Sequence, residues 1–363
     1  MREMIRKRLF CMILNDEQKK HYEAFWAGDA YGRCCLNITA PAPKEGAAPA
    51  EPGEPAQKWE DARRRLERFI WDLERTAFFA DAFPGFFVDF GPGNLTSMIG
   101  GTHKWAWDTV WFENEQVITD WETPPLPAVD KNSQMYRLVE ELTSCMLNAG
   151  EGRFLTSITD FGGTYDIIAA LRGTQTLLTD LYEYPDEIKA YAGKLRPVWM
   201  SYFNEQANRL LARQGGMTSW MPIWSNRPYC PLQCDFSAMI SPDMFEEFIL
   251  PDLRYQTENL PRSIYHWDGP GEIPHLKHLL SLPRLNAIQW TPGAGRENVG
   301  HECWFGLYEE IQAAGKGLVL LGMDPDNLEN LLKHVSSKGL YIQTGAKDAA
   351  HAFELIRAAE RLC

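Results

Sequence analysis

The hydrophobic positions of this chain follow two rhythms that alternate at short intervals. From residue 264 onward, apolar runs begin near Ile264, Ala287, Leu318 and Leu340, at separations of 23, 31 and 22 residues. The first two close on polar groups and glycine, as Ile264-Tyr265-His266-Trp267-Asp268-Gly269 and Ala287-Ile288-Gln289-Trp290-Thr291-Pro292-Gly293. Between runs the period lengthens to that of a helix. Leu328, Leu331, Leu332 and Val335 stand at i, i+3, i+4 and i+7, and Gly339 ends the segment. Upstream, Ser241 is placed to cap a helix, with Pro242 at its first position and Phe245, Phe248 and Ile249 on one face. Parallel strands need a crossover before the next strand, and this spacing supplies one.

Apolar runs at Cys35–Ile38, Phe86–Phe90, Phe154–Thr159 and near Met217–Ile223 bring the strand total to eight. The pattern predicts an α/β chain: a single (β/α)8 TIM-type barrel with an N-terminal helical extension, one structural domain overall. Residues 1–83 hold the N-terminal helices, the first strand and a Pro/Ala-rich loop at 41–58, and residues 84–363 hold the remainder of the barrel. A helix is expected from Trp59 to about Ala82, and two long helices over 164–213. Trp105, Trp107, Trp111 and Trp121 crowd a β-like stretch expected to overhang the barrel.

Composition narrows the partners. Hydrophobic residues make up 45 % of 363, enough for a large core, and no run approaches the roughly 18 apolar residues of a membrane helix. Net charge is 36 − 49 = −13. The basic triplet Arg63-Arg64-Arg65 reads as the solvated face of a helix whose apolar side is Leu66, Phe69 and Ile70. Nucleic acid and anionic membranes are therefore excluded as expected partners. The start, Met1 to Leu14, has an apolar run of six residues before Asn15-Asp16-Glu17 and no small-residue cleavage site, so a helix rather than a signal peptide is expected. Eight scattered cysteines without a Cys-x-x-Cys pair read as reduced thiols of a cytoplasmic protein.

Candidate chemistry sits where apolar runs end. His266 and Asp268 are two residues apart on one strand, so they point the same way. With Asp89 and Asp235, which also follow apolar runs, they are expected to share a cavity and carry catalysis. An imidazole and a carboxylate make half of a divalent-metal site, with Cys234 or Asp235 as third ligand; a metal-free catalytic or substrate-binding pair is the alternative. Asn94, Asp160, Ser237 and Gln289 are expected to touch substrate, and Trp111, Trp267 and Trp290 to wall its pocket. Arg172 is read either as a carboxylate anchor or as half of a structural salt bridge. His275 and His278 are expected on the solvent side of a helix.

The stretch Ile240-Ser241-Pro242-Asp243-Met244-Phe245-Glu246-Glu247-Phe248-Ile249-Leu250-Pro251 and the two strands after it resemble the uroporphyrinogen decarboxylase superfamily, a resemblance covering roughly residues 84–357. Asp89 matches the decarboxylases' pyrrole-facing aspartate. Their arginine-rich opening motif, however, falls on Leu36-Asn37-Ile38-Thr39-Ala40-Pro41, and their late histidine on Ala346. The corrinoid-linked methyltransferase-like branch is the closer one. Its His-x-Cys and later Cys, which bind zinc, correspond here to His266, Asp268 and Ala346. The resemblance implies a methyltransferase moving a methyl group between a small molecule and a methyl-corrinoid on a partner protein, with zinc as cofactor. A decarboxylase or lyase on a substrate other than uroporphyrinogen, or a barrel that binds a small molecule without turnover, stay open beside it.

Overall fold

The computed structural model describes residues 13–112 and 117–363. Most of the N-terminal run Met1–Leu14 lies outside them. The first described helix, Asp16–Trp26, starts at Asn15, whose side chain accepts from Gln18 N while the Gln18 side chain accepts from Asn15 N, both at 2.9 Å. Two backbone donors that the helix leaves open are satisfied by that exchange.

The chain is mixed α/β around a seven-stranded sheet. Its strands are β1 (Cys35–Pro41), β2 (Thr76–Ala80), β7 (Tyr229–Leu232), β8 (Arg262–Asp268), β9 (Ala287–Thr291), β10 (Gly317–Met323) and β11 (Leu340–Gly345), arranged β2-β1-β11-β10-β9-β8-β7. Every pairing is parallel except β1 with β2. The central strands are buried along most of their length, which is why they read as near-continuous apolar runs. A second parallel pair, β3 (Gly85–Phe86) with β6 (Leu155–Thr156), stands apart from the sheet, and β4 (Lys104–Trp105) pairs antiparallel with β5 (Val110–Trp111). The expected eight parallel strands are thus divided between two hydrogen-bonded sets. No helix among the described residues is long and apolar enough to cross a membrane.

Three boundaries differ from expectation. The helix expected from Trp59 to Ala82 is two helices, Pro55–Glu60 and Ala62–Leu73, followed by β2. Thr76-Ala77-Phe78-Phe79-Ala80 is β-prone sequence, and the free edge of β1 offers it a ladder. The fourth parallel strand lies at Tyr229–Leu232, not Met217–Ile223. The latter segment makes one bridge, Met217 with Ser225, and wraps the Tyr229 hydroxyl, which donates to the carbonyls of Met221 (3.1 Å) and Ile223 (2.7 Å). Pro222 has no N–H to give a ladder, which disfavours a strand there. Residues 164–213 form three helices, Thr164–Arg172, Thr174–Glu183 and Pro185–Gln214, broken at Gly173 (φ 93°) and Pro185.

One buried ionic knot ties the N-terminal helix to the sheet. Asp81, without solvent exposure, accepts from Arg33 Nη1 (2.5 Å) and Leu36 N (2.8 Å), and pairs with His21 Nδ1 at 2.6 Å. Burial by itself would raise the Asp81 carboxyl; the hydrogen bonds from His21 and Arg33 outweigh it and hold it below its ordinary range.

Candidate active site

Strand parity builds the first wall of the site. On β8, Tyr265 and Trp267 are fully buried, while the alternate residues His266 and Asp268 are only half-buried at the strand end. The parallel register sets His266 opposite Gln289 and Asp268 opposite Thr291. Gln289 is buried, and its Nε2 donates to the Trp290 carbonyl (2.9 Å) and to Thr291 Oγ1 (2.7 Å). Its Oε1 is thereby the atom that meets His266 Nδ1. An amide oxygen only accepts, so Nδ1 carries the proton and Nε2 of the neutral ring keeps its lone pair.

The next wall comes from the neighbouring strand. β7 runs on through Gln233 and Cys234 to Asp235, and Asp235, His266 and Asp268 each place a ligand atom within 4.8 Å of the others. Beyond them opens a cavity of about 380 Å³, lined by Trp59, Phe87, Asp89, Asp108, Asp160, Trp220, Gln233, Asp235 and His266 among others. Trp220 stands edge-on to the His266 ring at 5.0 Å.

Asp89 and Asp160 arrive from β3 and β6 by matching turns. Each carboxyl accepts the N–H two residues on, Asp89 from Gly91 and Asp160 from Gly162, both at 2.8 Å. The two turns touch glycine to glycine. A Cβ on Gly162, whose φ is +79°, would lie 2.6 Å from Gly93 Cα, so only glycine lets them close on one cavity.

Carboxyl groups crowd this region and raise one another. Asp160 is pushed up to about 7 by burial, then by the charges of Asp235 and Asp89. Asp166 also reaches about 7, through burial and then Asp235. Asp235 opens on the cavity, yet the protein around its carboxyl is dense enough that burial raises it; His266 pulls it down and Asp268 up. Glu272, 1 % exposed, rises to about 9 through burial and the charges of Asp235 and Asp166. Its Oε2 accepts from the Tyr265 hydroxyl at 3.2 Å, and its Oε1 has no partner. Anions held this close favour a cation among them.

Several expected site residues fall elsewhere. Cys234 is 2 % exposed and outside the three-ligand group; Asp235 takes its place. Burial, then Asp166 and Glu272, push the Cys234 thiol up, against the thiolate that a metal needs. Trp267 and Trp290 lie on the opposite face of their strands from His266 and Asp268, with ring centroids 4.5 Å apart, and Trp267 Nε1 donates to the Glu272 carbonyl at 2.8 Å. They are core, not pocket wall. Arg172 is buried, paired with Asp180 at 2.6 Å and donating to the carbonyls of Ile118 and Thr119, so the salt-bridge alternative describes it and the carboxylate anchor does not. Trp111 is half exposed on the β4–β5 hairpin. Asn94 is buried and donates to Thr159 Oγ1 at 2.5 Å. Ser237 is buried, and its carbonyl meets His275 Nε2 at 2.9 Å. His275 stacks on Phe245 at 4.4 Å and is 1 % exposed, contrary to its expected solvent position. Ala346 is buried after β11 and supplies no ligand.

Other residues at the site went unread. Trp220 and Gln233 line the cavity, and Asp166 and Glu272 stand behind it. Arg65, read as solvated, reaches the Asp89 carbonyl at 2.7 Å and lies over the Phe90 ring at 4.8 Å; burial lowers it to about 10. A signal for Gln233 existed, since it shares strand parity with Asp235. None marked Glu272, whose segment Pro270–His275 reads as an ordinary helix start.

No protein-family model matches the chain, and no curated protein matches it in sequence. By structure it is similar to a methyltransferase from Methanosarcina mazei, with a TM-score of 0.62 over 96 % of this chain and 99 % of that one, at 11 % identity. At that identity the likeness is one of fold alone.

Proposed function

We propose that this chain is a methyltransferase of the uroporphyrinogen decarboxylase-like superfamily, moving a methyl group between a small molecule and a corrinoid on a partner protein. In this reading the six parallel strands of the sheet and the β3–β6 pair form one eight-stranded barrel whose carboxyl ends carry the site. The observation that carries the reading is the Asp235–His266–Asp268 cluster, set in the fold of a methyltransferase.

The donor set fits a divalent cation. Three protein ligands with a further position open is the arrangement of catalytic zinc, and two carboxylates in place of thiolates make the set harder, favouring divalent ions that accept oxygen ligands. Gln289 supplies the outer hydrogen bond that metal-bound histidines usually make. When bound, such an ion supplies a Lewis acid that polarises a leaving oxygen or stabilises an acceptor thiolate. The protein's own part is separate. Gln289 holds the His266 ring in one tautomer, and Phe87 and Trp220 line the cavity with aromatic surface. Asp160, near half protonation at neutral pH, is suited to hand a proton to a leaving group.

That same property of Asp160 favours a second reading, a decarboxylase or lyase working by acid–base chemistry. Against it, no lysine or arginine among the described residues lines the cavity to hold a carboxylated substrate. Elemental analysis of protein purified without chelator tests the proposal. Stoichiometric metal, lost in His266→Ala and Asp235→Ala, is expected; trace metal unchanged in both variants removes the metal-dependent reading.

A further inference from the structure

The cavity has a wall chemistry that selects for charge. Asp89, Asp108, Asp160 and Asp235 line it, and among the described residues no lysine or arginine does. The guanidinium of Arg65 is turned into the wall, held by the Asp89 carbonyl and packed over the Trp59, Phe86 and Phe90 rings. A metal on Asp235, His266 and Asp268 would neutralise its own ligands and leave Asp89, Asp108 and Asp160 on the other side, with Arg65 beside Asp89 as the adjoining positive charge.

Two independent features point to an organic ligand. Phe87 and Trp220 are half-buried rings on the cavity lining, and aromatic faces attract onium groups through their quadrupole. Trp59 contributes less, because Lys58 already lies over its ring at 4.7 Å. Gln233, 7 % exposed, lines the cavity with a side-chain amide that has no hydrogen-bond partner among the described residues. Its amide atoms are not among the fully buried ones left without a partner but open on the cavity, so a ligand oxygen or N–H can take the place of water there.

From these features we infer that the cavity takes a small alkylated ammonium carrying a hydroxyl or similar polar arm. Its onium carbons lie against Phe87 and Trp220, its charge faces Asp89 and Asp160, and its polar arm meets Gln233. The inference rests on reading this cavity as the substrate site, and it stands apart from whether a metal is bound.

Choline and its uncharged isostere 3,3-dimethylbutan-1-ol test it by calorimetric titration, with chelator-treated and zinc-supplemented protein whose metal content is measured separately. Choline is expected to bind both preparations, and the isostere roughly tenfold more weakly or less. The Asp89→Asn/Asp160→Asn variant, which keeps both turn acceptors, is expected to weaken choline by about tenfold while leaving the isostere unchanged. Gln233→Leu is expected to weaken choline but not tetramethylammonium. Equal binding of choline and isostere, no choline binding to either preparation, or displacement of choline by zinc would each overturn the inference. A failure of the metal reading shows separately, as absent metal with choline binding intact.

Discussion

Gln289 decides which nitrogen His266 presents. Its amide is pinned from one side by the Trp290 carbonyl and Thr291 Oγ1, so its oxygen faces His266 Nδ1 and its orientation has no freedom to flip. The imidazole, a ring within reach of the Asp235 and Asp268 carboxylates, therefore keeps Nε2 as its lone-pair donor. Gln289→Leu should leave the fold intact by circular dichroism and weaken metal binding by roughly 10–100-fold in a competition titration with a chelating indicator. An unchanged affinity would mean that the ring needs no orienting partner.

The Asp81 knot should govern acid stability. Its folded carboxyl is held below the ordinary value, so its contribution is present above the unfolded pKa and is lost as pH falls through the folded one. Asp81→Ala leaves Arg33 buried without its partner and should cost about 3–5 kcal/mol. Urea unfolding of wild type and variant, repeated from neutral to acid pH, should show the gap closing as the pH drops.

Glu272 should act with the opposite sign. Its folded carboxyl stands at about 9, well above the ordinary glutamate value near 4.3. Between those values the folded state keeps a proton that the unfolded state has released, so stability falls with rising pH, by up to about 1.4 kcal/mol per unit. Glu272→Gln should flatten that slope and gain relative to wild type toward pH 9. Asp160 and Asp166 add slopes of the same sign below about 7, so the comparison rests on the difference between the two proteins. Equal slopes would show that Glu272 is ionised in the folded state.

Gly162 should tolerate no side chain. Gly162→Ala places a Cβ at positive φ and against Gly93 Cα, which should cost about 1–3 kcal/mol and move Asp160 relative to Asp89. Gly215→Ala also falls at positive φ but meets nothing within 4 Å, and it serves as the control. If the two variants lose the same stability in thermal melts, the glycine contact between the turns contributes nothing.

The sequence alone determined whatever depends on neighbours along the chain. Ser241 caps its helix, accepting from Met244 N at 3.3 Å, because an N-cap needs only residues three apart. His266 and Asp268 point one way because strand parity is local, and the same parity already separated Trp267 from them, although its aromatic character argued for a pocket wall. The four runs from 264 onward are strands because each is apolar enough to be buried on both faces. Tertiary structure alone decided which strand ends meet. Tyr229–Leu232 pairs with β8 while its Tyr229 hydroxyl anchors the segment before it, a contact from a side-chain hydroxyl to backbone carbonyls that no periodicity records. Asp235 rather than Cys234 faces His266 because the turn after β7 buries one side chain and opens the other. Glu272 is a neutral acid because the fold buries it and brings the charges of Asp235 and Asp166 to it from separate segments, against the Tyr265 hydroxyl, which pulls the other way. Charge, burial and proximity add over space, and a linear pattern carries only the part of that sum contributed by adjacent residues.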